Sequence, residues 1–188
     1  MCGCDRIFFL DRLPDPKTLN DGGPDANADA AHPERDSNVD ALPGVCPADF
    51  TLNMVSGTYY KAVSLSADWI TARTECKNAG AGFEWFTHLA VLSDYSELAF
   101  VYALAGSQGT HWVGAIDTTT DMMSDFRWVT TEAVTSMPWA SMQPDNPDLQ
   151  NCGVIPDATG MDNDFCDRLF TYVCECDAYA DDLVVSPN

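Results

Sequence analysis

Side chains able to ligate through oxygen crowd one stretch of this 188-residue sequence. Asp145, Asp148, Asp157, Asp162 and Asp164 fall there, with Gln143, Gln150 and Asn163 among them. Two readings fit these residue types. Asp and Asn favour turns, so the stretch can be a plain hydrophilic loop. Converging carboxylate and amide oxygens also suit a hard cation such as calcium, which takes roughly six to eight oxygen ligands. Asp117, Asp121 and Asp125 around the threonine run Thr118-Thr119-Thr120 pose the same choice, a second calcium site or a solvated loop, and the solvated loop is the simpler reading. Catalytic patterns do not stand out. The sequence has no Gly-x-Ser-x-Gly elbow, no phosphate-binding glycine loop and no His-Glu-x-x-His. No pair of acids is pinned at a separation suited to glycoside cleavage. His88 and His111 read as structural residues, so the chain reads as a non-enzyme.

The second chemical group is sulfur. Eight cysteines stand at positions 2, 4, 46, 76, 152, 166, 174 and 176. Zinc sites usually show Cys-x-x-Cys pairs with histidines nearby. Here the close pairs are Cys-x-Cys and the three histidines, His32, His88 and His111, are scattered. Disulfides and an oxidising compartment follow. Nine basic against 29 acidic residues give a formal net charge of −20, which repels phosphate backbones and argues against a nucleic-acid partner. No run is long and apolar enough to cross a membrane. Met1-Cys2-Gly3-Cys4-Asp5 resembles the end of a bacterial lipoprotein signal, with Cys4 as the lipidation site. The expectation is therefore an exported protein, at the outer surface, in the periplasm or secreted, with a lipid anchor to the membrane.

The elements that must position these groups lie between two tails. Residues 1–45 read as a leader and disordered acidic linker, too poor in large apolar side chains to offset the entropy of ordering. Residues 177–188 read as a short acidic tail, frayed at the end. Between them, Thr58 to Val63 reads as a strand. Ser66 caps a helix running to about Ala79, with Trp69, Ala72 and Cys76 on one face. Asp94 with Glu97 opens a second helix that turns Leu98, Val101, Tyr102 and Ala105 inward and stops at Gly106. Short strand-like runs follow at His111 to Ile116, Phe126 to Thr130, Cys152 to Ile155 and Phe170 to Cys174. Two helices, then short strands separated by long loops, predict an α+β domain over 46–176 with an antiparallel sheet. Long loops inside such a domain usually carry function.

An ordered set of motifs across about 130 residues resembles the C-type lectin-like domain family. Trp69 to Cys76, His88-Leu89-Ala90-Val91-Leu92 and Glu97 are similar to its two helices and intervening turn. Trp112-Val113-Gly114-Ala115 resembles its core strand. Phe126-Arg127-Trp128, Trp139, Gln143-Pro144-Asp145, Asn151-Cys152-Gly153, Asp162-Asn163 to Cys166 and Tyr172-Val173-Cys174-Glu175 follow in the family's order. The tether and the anchor make it similar to a bacterial-type member.

The resemblance implies the rest. Cys76 pairs with Cys174 and Cys152 with Cys166. The domain ends lie side by side in that fold, so Cys46 pairs with Cys176. Gln143, Asp145, Gln150, Asp162 and Asn163 become ligands of a calcium ion and, through it, of vicinal sugar hydroxyls; Asp164 serves if the register slips by one. Gln-Pro-Asp is similar to galactose-type sites, with the proline cis. Gln150 stands where the family carries Glu, Asp162-Asn163 where it carries Asn-Asp, and Met161 replaces a Trp. Fewer carboxylates predict weak calcium binding, about 10⁻⁴–10⁻³ M. The implied function is a calcium-dependent carbohydrate-binding module whose partner is a glycan or polysaccharide. The rival is a calcium-independent domain of the same kind that binds protein in adhesion or scaffolding.

Overall fold

A computed structural model describes residues 45–119, 124–135, 139–146 and 149–185, all within the unit from Asp40 to Asn188. Cys4, the rest of the leader, Asp121 and Asp148 lie outside the described residues. In chain order the elements are β1 (Thr51–Leu52), β2 (Tyr59–Ala67), α1 (Trp69–Ala79), β3 (Phe86–Leu89), α2 (Tyr95–Leu104), β4 (His111–Asp117), β5 (Phe126–Trp128), β6 (Cys152–Asp157), β7 (Gly160–Asp164) and β8 (Phe170–Asp177). One sheet takes the order β1-β2-β8-β4-β6-β7, with β3 on β8 and β5 on β4. The α+β class is as expected. The sheet is mixed rather than purely antiparallel, because β8 and β4 run parallel through His111↔Thr171 and Trp112↔Tyr172. The last strand inserts between β2 and β4, antiparallel to the first and parallel to the second.

Both helix starts follow from capping chemistry, one of them at a different residue than the sequence reading chose. Asp68, not Ser66, caps α1: its carboxylate accepts the Thr71 N–H at 2.7 Å, satisfying a donor the helix leaves open. Ser66 stays in β2, whose pairing with β8 continues to Ala67↔Phe170. Asp94 caps α2 as predicted, accepting from the Ser96 and Glu97 N–H groups at 2.8 and 2.9 Å. Glu97 reaches back to the Ser93 N–H at 2.7 Å.

Four of the five tryptophans, Trp69, Trp112, Trp128 and Trp139, are in the core. Trp69 and Trp112 are fully buried, and each indole spends its one donor on a main-chain carbonyl, Val113 and Ala67, both at 2.8 Å. A buried indole needs such a partner. Three disulfides staple the layers: Cys46–Cys176, Cys76–Cys174 and Cys152–Cys166. They are the expected pairs. Tyr60, Glu97 and Glu175 form a buried polar row beside the core, and burial above all pushes the Glu175 carboxyl up to about 8.

The C-terminal stretch expected to fray is held down as far as it is described. Asp181 is buried and takes a bidentate grip from Arg73 of α1. The Asp182 and Leu183 N–H groups both bond the Val129 carbonyl, at 3.1 and 3.0 Å. A charge-assisted contact to a residue far away in the chain leaves no local periodicity to read.

β7 locks to the loop preceding the oxygen-rich stretch. Ala140 N–H bonds the Met161 carbonyl at 2.9 Å, and Trp139 bridges Met161. The approach is so close that a Cβ on Gly160 meets Ala140 backbone atoms at 2.5 Å. Gly160→Ala is therefore expected to cost ~1–3 kcal/mol by overpacking, read as a lower midpoint in urea with an unchanged slope.

Candidate functional site

The Gln143-Pro144-Asp145 turn, with its cis Gln143–Pro144 peptide, is docked on β7 by a single side chain. Asn163 is 3% exposed. Its Oδ1 accepts the Asp145 N–H at 2.9 Å, and its Nδ2 donates to the carbonyls of Asp145 and Gln150 at 2.5 and 2.6 Å. One amide thus satisfies three main-chain groups that a loop without sheet partners leaves open. Asn163 holds its place because β7 pairs it with Gly153 on β6, and Cys152–Cys166 ties the β6 start to the segment just after β7.

Around this clamp the predicted residues gather. Gln143 Oε1 accepts the Asp145 N–H at 2.8 Å. Asn146 donates through Nδ2 to Asp145 Oδ1 at 2.9 Å and to Gln150 Oε1 at 3.2 Å. Asn146 takes φ +46°, a left-handed conformation that Asn tolerates better than most residues. Asp162 precedes the clamp on β7. Partial burial above all raises its carboxyl from the ordinary value, and the carboxylates of Asp145 and Asp164 push the same way. Gln143, Asp145, Gln150 and Asn163 are thus joined by hydrogen bonds, and Asp162 lies in the electrostatic reach of Asp145. Asp164 instead accepts the Phe165 N–H at 2.7 Å and faces Arg168 at 3.9 Å.

Three residues outside the predicted set belong to this region. Asn146 is one. The others are Asp117, at the end of β4, and Asn151, joined to it by an Asp117 N–H to Asn151 carbonyl bond of 2.8 Å. Asp117 is 5% exposed, not a solvated loop residue. Its Oδ1 accepts from Thr119, but among the described residues Oδ2 has no partner, and neither does the buried Oδ1 of Asn151. Both residues line a pocket of about 910 Å³ beside α1. A buried acceptor without a donor costs about 1–3 kcal/mol. Asp125, by contrast, pairs with Arg127 near the surface.

This chemistry fits a hard divalent cation. The oxygen donors are carboxylates and amides, and among the described residues no thiolate or imidazole joins them; one buried acceptor without a partner, Asn151 Oδ1, is on the residue next to Gln150. Calcium accepts such ligands. Asn163 departs from the expected pattern in one respect. Both hydrogens of its amide nitrogen are spent on main-chain carbonyls, so that nitrogen has none left for a sugar hydroxyl.

A mixed sheet, two helices, paired domain ends and a disulfide-braced loop are the frame that carries this site. Residues 66–176 match the Lectin C-type domain family, and the chain belongs to it. It is 27% identical to Lectin BRA-3 of Megabalanus rosa over 133 residues, covering 69% of this chain and 78% of that protein. It is 30% identical over 110 residues to C-type mannose receptor 2 of Homo sapiens, covering 57% of this chain. The matched part spans only 7% of that receptor's length. Among solved structures, the C-type lectin CEL-I from Cucumaria echinata superposes with a TM-score of 0.61 at 20% identity, covering 71% of this chain and 98% of its own. These relatives are eukaryotic.

Proposed function

We propose that this chain is a calcium-dependent carbohydrate-binding module, exported and tethered, in which Gln143 and Asp145 meet both ion and sugar and Gln150 and Asp162 complete the oxygen cage. Asn163 joins through its remaining acceptor capacity and by holding the turn in place. The observation that carries this reading is the docking of Gln143-Pro144-Asp145 against β7, where Asn163 bonds the main chain of Asp145 and Gln150. Lectins among the relatives support a glycan or polysaccharide as the partner. The Gln-Pro-Asp order supports a galactose-type hydroxyl preference, because an amide both donates and accepts whereas a carboxylate only accepts. We also assign a bacterial-type lipoprotein anchor at Cys4, for which the motif around Gly3-Cys4 is the support.

Calcium titration by calorimetry tests the site. Wild type is expected to bind at about 10⁻⁴–10⁻³ M, and Asp145→Ala to give no heat above dilution. Equal heats from the two proteins overturn the assignment. A glycan array run with calcium and with chelator then reads the sugar.

One observation favours a second reading. Asn163 closes the turn on β7 with two donated bonds and one accepted bond, contacts that need no ion. A calcium-independent, protein-binding surface on the same loop predicts partner capture that persists in excess chelator.

A further inference from the structure

We infer that His88, Glu175 and Asp177 form a site for a d-block divalent cation of the zinc type, separate from the oxygen-rich loop. The placement follows from strand register. His88 of β3 pairs directly with Glu175 of β8, and Phe86 pairs with Asp177. Side chains alternate along a strand, so Glu175 and Asp177 share the face that His88 presents, while Cys174 and Cys176 turn their disulfides to the other. All three side chains are buried, His88 completely. Their nearest ligand atoms lie within 4.8 Å of one another.

The contacts inside the cluster need a shared proton or a cation, although Asp177 Oδ1 also accepts the Tyr179 N–H at 2.7 Å. His88 Nδ1 lies 2.9 Å from the Leu89 carbonyl. A carbonyl only accepts, so Nδ1 carries the ring proton and Nε2 faces Asp177 Oδ1 at 3.1 Å. That contact needs a proton or a cation between the two atoms, and with a proton there it is a buried ion pair. Glu175 is little better served. Its Oε2 takes the Val91 N–H at 2.7 Å, but its Oε1 shares the Tyr60 hydroxyl, at 3.1 Å, with Glu97, which is closer at 2.5 Å. One hydroxyl proton serves one of them, and a protonated Glu175 can supply the other bond itself. The adjoining pocket, about 480 Å³, has Glu97, Glu132, Glu175 and Asp177 in its lining and no lysine or arginine.

An imidazole nitrogen with two carboxylates suits zinc rather than calcium. Zinc–nitrogen and zinc–oxygen bonds of about 2.0–2.2 Å set tetrahedral ligand atoms roughly 3.3 Å apart, close to the His88–Asp177 spacing of 3.1 Å. The bond from Nδ1–H to a main-chain carbonyl is the outer-shell contact that fixes a metal-binding tautomer. The pocket reaches Glu175 and Asp177, and water from it would take the fourth position.

The test uses the full chain after chelator treatment, with millimolar calcium added to fill the loop. Zinc is followed by calorimetry, and cobalt by its visible ligand-field band. One zinc per chain is expected, with a tetrahedral-type cobalt spectrum. Asp177→Asn and His88→Gln should each weaken zinc by at least ~100-fold, while Asp145→Ala binds zinc as wild type does. Circular dichroism and a free-thiol count establish that each variant is folded. Should His88→Gln not fold, Asp177→Asn, at the end of its strand, carries the comparison. No stoichiometric zinc binding to wild type, or undiminished binding by folded Asp177→Asn, overturns the site.

Discussion

Asn163→Asp is expected to turn a loop that closes on hydrogen bonds into one that closes only on calcium. In the native chain Asn163 Nδ2 donates to the Asp145 and Gln150 carbonyls while Oδ1 accepts from the Asp145 N–H. A carboxylate keeps the second role and loses the first. It also faces two carbonyl oxygens with negative charge at a position that is 3% exposed. The lost donors and the buried charge together cost about 1–3 kcal/mol or more in chelator, a fall in melting temperature of roughly 5–10 °C. Calcium reverses the sign. A bound divalent ion removes the repulsion, and the site gains a carboxylate beside Asp145 and Asp162. Calcium affinity should rise about tenfold or more over wild type, and most of the lost melting temperature should return at millimolar calcium. Scanning calorimetry of both proteins with calcium and with chelator reads this directly. A variant whose melting temperature ignores calcium would show that the clamp does not adjoin an ion site.

That experiment also marks where sequence reading stops. Gln143, Asp145, Gln150, Asp162 and Asn163 were singled out through the family resemblance, and hydrogen bonds join four of them in the structure. The use of Asn163 was not legible. Whether an amide ligates an ion or bonds three main-chain groups depends on where two loop segments lie, and nothing local to Asp162-Asn163 encodes that. Asn146 went unseen for the same reason: its two bonds arise from a left-handed backbone turn. Asp117 was read as solvated because its neighbours are threonines, yet the end of β4 buries it.

The fold shows a matching division. Asp94 with Glu97, and Trp69, Ala72 and Cys76 at helical spacing, carry their own signal and gave α2 and the buried face of α1. β7 carries none. Gly160-Met161-Asp162-Asn163-Asp164 does not alternate as a half-buried strand should, and it is a strand because β6 and Ala140 supply its partners. β3 was read as a turn at His88 because four residues are too few to show a period. The disulfide pairs were legible through family resemblance, since eight cysteines alone leave the connectivity open.

Those disulfides give the largest stability effect, and it is not additive. Cys46–Cys176 spans 130 residues and Cys76–Cys174 spans 98. Taken singly, such loops correspond to about 4.5–5 kcal/mol on a chain-entropy account. The two bonds are nested, however, and end two residues apart on β8. With Cys76–Cys174 intact, Cys46–Cys176 closes only the path from Cys46 to Cys76, across the bond and on to Cys176, about 32 residues, which corresponds to about 4 kcal/mol. Cys46→Ala with Cys176→Ala should thus cost about 4 kcal/mol and leave a domain that still folds. Removing the Cys76–Cys174 pair from that variant then costs about 5 kcal/mol more, because its loop is no longer shortened. The combined loss, about 9 kcal/mol, falls within the whole stability of an ordinary domain. The four-alanine variant is expected to be largely unfolded at 25 °C, with each double variant native by circular dichroism and cooperative in urea. Equal costs for the second bond in the presence and absence of the first would show that the stabilisation lies in the native state rather than in the unfolded chain.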